Sequence, residues 1–155
     1  MRDKDEIARL SAQAMWADDA ACKALDMRIL EVRPGYARLE MAVATHMVNG
    51  HGMCHGGYIF TLADSAFAYA CNSFGQRAVA QQCAITYLSP GRLGTRLVAE
   101  AAARVQQERS GIYDVTVRDE AGAVLAEFRG HSRTLPGSLI DAGGPAAGAP
   151  KGDAT

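Results

Sequence analysis

One carboxylate stands alone in the middle of this sequence. Between Glu40 and Arg77, Asp64 is the only Asp, Glu, Lys or Arg among 36 residues. Around it, Ile59, Leu62, Ala63, Ala66, Phe67 and Ala70 recur at the spacing of one helical face. Phe60, Ala68, Tyr69 and Cys71 make the other faces apolar as well, so this helix belongs inside the protein. Burying a lone carboxylate costs several kcal/mol unless it is paired or hydrogen-bonded, and no Lys or Arg lies within a helical turn of Asp64. A charge that breaks the local rules in this way marks a candidate functional site. The plainer alternative is a solvent-facing Asp64 beside the apolar stripe, and the flanking Phe60, Phe67 and Cys71 argue against it.

The segment before the helix, THMVNGHGMCHGG, carries four glycines and three histidines and reads as a loop. Its last three residues, His55-Gly56-Gly57, lead into the helix. The first backbone N–H groups of a helix lack intrahelical partners and carry partial positive charge. Glycine lets a ligand approach them closely. Such a start can polarise a carbonyl and hold a developing oxyanion. By itself a Gly-Gly pair before a helix is a weak signal, since turn and cap geometry explains most of them. Asn49 adds a possible amide donor, and His55 a group that could orient the loop or a carbonyl. His46 and His51 read as ordinary loop residues. Cys54 beside His55 suggests a thiol nucleophile and its base, but adjacent residues rarely face each other and no third orienting group is evident.

The elements that must position these groups follow from periodicity. Residues 4–25 read as an N-terminal helix or two short ones. Residues 27–32 and the alternating Ala37, Leu39, Met41 and Val43 form a hairpin about Arg33-Pro34-Gly35. The central helix spans about 56–73. Strands are expected over 77–88, over 95–107 despite its alanines, around Tyr113–Val117, and from Val124 to about Thr134. Short turns between successive strands imply antiparallel pairing. The fold class is therefore α+β, with a curved antiparallel sheet wrapped around one long central helix. A single domain covers 1–136. The Gly-, Ala- and Pro-rich residues 137–155 are expected to be a disordered tail.

The totals narrow the function. Of 155 residues, 48% are apolar and 21% charged, with a net charge of −1. No basic cluster points to a nucleic-acid partner. The charged start MRDKDEIARL excludes a secretory signal, and no clean apolar run is long enough for a membrane span. The four cysteines, Cys22, Cys54, Cys71 and Cys83, have neither zinc-site spacing nor scaffold density. They read as free, buried thiols in a cytoplasmic protein.

The run from Asn49 to Asp64, with His55 and Asp64 nine positions apart, resembles the hotdog-fold acyl-CoA thioesterases of the phenylacetic acid degradation (PaaI) type. The continuation Ala66–Ser73 and the later Phe128-Arg129-Gly130-His131-Ser132 match the same group, so the resemblance spans roughly residues 20–135. It implies a hotdog fold and hydrolysis of phenylacetyl- or hydroxyphenylacetyl-type CoA thioesters. It implies that Asp64 acts as nucleophile or general base, Gly56 N–H polarises the carbonyl, and Asn49 and His55 assist. It also implies a homodimer with two shared sites, doubled into a homotetramer, and no cofactor, since CoA is part of the substrate. A relative's water-positioning Ser or Thr is replaced here by Ala80. Gln81 and Gln82 are the substitutes considered, and Gly57 and Phe67 join them as substrate-binding candidates. The alternatives are a hotdog hydratase or dehydratase of acyl thioesters, and a non-catalytic acyl-CoA binding protein.

Overall fold

The computed structural model describes residues 1–140. In chain order these form α1 (Lys4–Ala17), α2 (Ala20–Ala24), β1 (Arg28–Arg33), β2 (Tyr36–Ala42), a 3₁₀ turn (Thr45–Met47), α3 (Gly56–Cys71), β3 (Gln76–Tyr87), β4 (Arg96–Gln107), β5 (Ser110–Arg118) and β6 (Val124–Ser138). The six strands make one antiparallel sheet in the order β1-β2-β4-β5-β6-β3. Helix α3 touches every strand, so the sheet wraps it as the hotdog expectation requires.

Sequence chemistry accounts for the enclosure. On α3, Ile59, Leu62, Ala63, Ala66, Phe67 and Ala70 are all buried. Phe67 meets Tyr113 and Phe128 at ring-centroid distances of 5.5 and 5.8 Å. A side chain at Gly130 would come within 2.8 Å of the Phe67 ring, so the glycine makes room for it. The alanines that made residues 95–107 ambiguous serve the same end. Ala99 and Ala101 are fully buried on β4 beneath α3, where small side chains let helix and sheet approach.

Caps and ties fix the ends of the helices. Asp3 accepts from Glu6 N at 2.7 Å and starts α1. Asp19 separates the two N-terminal helices: its Oδ1 accepts from Cys22 N at 3.1 Å, and its Oδ2 from the Tyr69 hydroxyl at 2.9 Å. That second bond pins α2 to α3. At the far end of α3, Asn72 bridges to β3, accepting from Ala78 N at 2.8 Å and donating to Ala78 O at 3.1 Å.

The expected tail boundary needs correction. β6 continues through Ser138, Leu139 N donates to Gly75 O at 2.9 Å, and Ile140 lies near Gly75. Paired backbone thus carries the domain past residue 136. The rest of the expected disordered segment, 141–155, lies outside the described residues.

Glu40, on β2, is the buried acid of the sheet, held by Arg28 of β1 and by Arg96 of β4 at 3.2 Å. Burial alone would push its carboxyl up, but the two guanidinium groups outweigh this and hold it below the ordinary carboxylate range. Its contribution is therefore present above the unfolded-state value and fades as pH falls through the folded value. Glu40→Gln should lower stability at pH 7 by about 1 kcal/mol, given that both arginines are largely solvated. Urea unfolding at pH 7 and below pH ~4 checks this, because the gap to the parent protein should close in acid.

Candidate active site

The glycine loop is built tightly against its surroundings. His55 N donates to Met47 O at 2.8 Å, Cys54 N to Gly91 O at 2.7 Å, and Leu93 N to Gly52 O at 3.1 Å. Isolated bridges join Val48 to Cys54 and Met53 to Arg92. Asn49 performs turn chemistry with its oxygen, which accepts from His51 N at 2.9 Å and Met53 N at 3.2 Å. Its Nδ2 meets no protein acceptor among the described residues and stays available as a donor. His55 is the N-cap residue of α3, exposed, and its side chain makes no capping bond.

The two glycines at the helix start have different reasons to be glycine. At Gly56 an added Cβ would lie 2.7 Å from Cζ of Tyr87, whose hydroxyl donates to Gly56 O at 2.8 Å. At Gly57 an added Cβ would meet nothing within 4 Å. Packing inside the protomer thus explains Gly56 and leaves Gly57 unexplained.

Asp64 lies two turns further along. It is half-buried and makes no hydrogen bond or ion pair among the described residues. Desolvation by burial raises its pKa above the ordinary aspartate value, with no cation to oppose the shift. Its half-burial sets it apart from a fully solvated surface carboxylate, and no structural salt bridge holds it among the described residues. Gly57, Thr61, Asp64 and Ala68 fall on one helical face, and none of the four is fully buried. At 1.5 Å per residue, Asp64 stands about 12 Å from Gly56 of its own helix, too far for one carbonyl to touch both.

Other expected site residues separate. Phe67 is 1% exposed and belongs to the core, so it does not line a substrate pocket. Phe60 joins Phe67 on the ring of Phe128, at a centroid distance of 5.4 Å, so these aromatic residues converge as packing between helix and sheet. Gln81 and Gln82 are exposed on β3, at the free edge of the sheet. The register slips between Ala80 and Gln82, making Gln81 the extra residue of a β-bulge, a device that re-aims side chains.

The thiols are quiet. Cys54 is buried, its Sγ lies 3.4 Å from the His55 carbonyl oxygen, and burial raises its pKa. That removes the thiol-nucleophile alternative, which requires an accessible thiolate beside an imidazole. Burial pushes Cys22 and Cys71 up to about 12, and Cys83 rises for the same reason. All three lie near enough to Asp64 for its charge to add to the effect. Sequence reasoning missed Tyr87 and the link from Cys22 Sγ to Ser65 Oγ at 3.3 Å. Tyr87 ends an ordinary strand pattern, and nothing local marks it.

Residues 51–126 match the family model described as the thioesterase superfamily. The chain is 44% identical over 129 residues to the acyl-coenzyme A thioesterase PaaI of Escherichia coli (strain K12), covering 83% of this chain and 92% of that one. The chain belongs to the thioesterase superfamily. As a thioesterase of this group it is a thioester hydrolase acting on acyl-CoA. The solved structure of the E. coli PaaI protein from the phenylacetic acid degradation operon superposes with a TM-score of 0.86 at 43% identity, over 88% of this thioesterase and 99% of that chain. A Streptococcus mutans protein bound to acetyl-CoA matches at TM-score 0.68 and 28% identity, over 70% and 88% of the respective chains.

The unpaired Asp64 leads to two expected outcomes, one for Asp64→Asn and one for the parent enzyme. A raised folded-state pKa means that ionisation near neutral pH costs folding stability, so the neutral amide should raise Tm when followed by circular dichroism at pH 7. In the parent enzyme, kcat/KM should fall on acidification through a pKa above the usual aspartate range, and a profile flat down to pH 4 would contradict the assignment.

Proposed function

We propose that this thioesterase hydrolyses aryl acyl-CoA of the phenylacetyl or hydroxyphenylacetyl kind, at sites shared by two copies of the chain. The observation that carries the reading is Asp64: a half-buried carboxylate without a partner, on the same helix face as the unexplained Gly57. Asp64 is about 12 Å from its own helix start, so the carbonyl-binding end comes from a second copy. Two α3 helices packed antiparallel and crossing near Thr61 would set Gly57 of each opposite the other's Asp64. The edge of β3 suits such pairing, being 12 residues long with one side unpaired among the described residues and Val79 46% exposed. A homodimer formed there, doubled into a homotetramer, is the assembly we infer.

In this site the thioester carbonyl oxygen lies against the orphan N–H groups of Gly56 and Gly57, with Asn49 Nδ2 assisting and His55 at the rim. Asp64 of the other copy either attacks the carbonyl carbon or removes a proton from a water that does. In the first case the C–S bond breaks, CoA leaves as thiolate, and water hydrolyses the resulting anhydride. In the second, water adds directly and CoA leaves from the tetrahedral intermediate. Either route calls on nothing beyond the chain's own residues, the acyl-CoA and water. Ala80 cannot orient that water through a hydroxyl, and the bulge at Gln81 offers Gln81 and Gln82 at the β3 edge instead. The aryl preference rests on the phenylacetic acid degradation operon that supplies the E. coli relative.

Thiol release measured with phenylacetyl-, hydroxyphenylacetyl-, acetyl- and long-chain acyl-CoA tests the substrate class. The highest kcat/KM should fall on the aryl substrates, and a preference for long alkyl chains would end that part of the proposal. Asp64→Asn should lower kcat by ~10²–10⁴. Gly57→Ala is the cleaner probe of the helix start, because the protomer has room for the methyl group. We expect an unchanged or slightly higher Tm, since alanine favours helix, together with at least a tenfold loss of kcat/KM. Full activity in that variant would remove the glycine end from the mechanism.

A further inference from the structure

We propose that Tyr87 is a positioning residue for the carbonyl-polarising helix start, acting through the Gly56–Gly57 peptide. This rests on the reading that the start of α3 binds the thioester oxygen. Tyr87 is the last residue of β3. Its ring is stacked so closely on Gly56 that a Cβ there would lie 2.7 Å from Cζ, 2.9 Å from Oη and 3.1 Å from Cε1. Its hydroxyl donates to Gly56 O at 2.8 Å.

That carbonyl and the Gly57 N–H belong to one planar peptide unit. Withdrawing electron density at the oxygen makes the N–H across the bond a better donor, as hydrogen bonds in chains polarise one another. The bond also fixes the plane of a peptide that lies between two glycines and would otherwise be the softest unit in the helix. A donor held still before the reaction needs no reorganisation when negative charge develops on the substrate oxygen. Gly57 is exposed at the first turn of α3, where its N–H has no intrahelical partner. Burial and the nearby Cys54 raise the Tyr87 phenol above its ordinary range, so it keeps its proton and remains a donor across a neutral assay window. Tyr87 also accounts for the glycine at position 56 without any appeal to substrate.

Tyr87→Phe removes the oxygen and keeps the ring. In thiol-release assays with phenylacetyl-CoA and acetyl-CoA, kcat should fall about three- to tenfold, less than the ~10²-fold or more lost with a direct oxyanion donor. KM and Tm should stay close to the parent values. The loss should be the same factor for both substrates, since the carbonyl is common to them. Parent-like kcat in Tyr87→Phe, or a loss confined to KM or to one acyl group, would overturn the inference and make Tyr87 a packing or pocket residue. Asp64→Asn assayed in parallel separates the two levels. An inactive Asp64→Asn beside a fully active Tyr87→Phe sinks this inference alone, whereas an active Asp64→Asn sinks the site reading and this inference with it.

Discussion

Everything in this molecule follows from having to keep α3 out of water. A helix apolar on nearly every face cannot lie on a surface, and a single layer of sheet covers it only by curling around it. The sheet therefore contributes small residues where it presses on the helix, as at Ala99, Ala101 and Gly130, and large ones where it closes over it, as at Tyr113 and Phe128. What the wrapping leaves uncovered is a narrow face bearing Gly57, Thr61, Asp64 and Ala68. Asp64, the one acidic or basic side chain of the helix, stands on that strip, away from its buried stripe.

The same enclosure makes the start of α3 rigid. Three backbone bonds, from Cys54, His55 and Leu93, fasten the preceding loop to its neighbours, and the Tyr87 hydroxyl fastens the first peptide of the helix. A glycine-rich segment would ordinarily be soft. Here it is tied at both ends, and the orphan N–H groups inherit a fixed direction from β3 and from the 88–94 connection. Electrostatic stabilisation by backbone dipoles depends on such preorganisation more than on the number of donors.

The architecture and the chemistry were legible in the sequence to different depths. Alternation in 37–43 and 113–117 and the helical spacing of 59–70 led directly to β2, β5 and α3, because burial imposes those periods. The lone charge at Asp64 was legible for the same reason, as an exception that stands out against an apolar background. Phe67 was misplaced because spacing along a helix does not say whether an aromatic side chain meets substrate or sheet; only the positions of Tyr113 and Phe128 decide that. The tie between Tyr87 and Gly56 was invisible because its two ends lie 31 positions apart in the chain. The end of the domain was set too early because β6 runs on past an irregular stretch to Ser138, which pairs with Gln76 of β3 despite a weak strand pattern.

The thiols around Asp64 carry one more implication. An enzyme that handles reactive thioesters risks passing the acyl group to its own sulfur, and thioester exchange requires thiolate. With burial pushing Cys22 and Cys71 up to about 12, both stay protonated at neutral pH. The Asp64 carboxylate deepens this suppression by its own charge, which helps keep the surrounding cysteines from becoming dead-end acceptors.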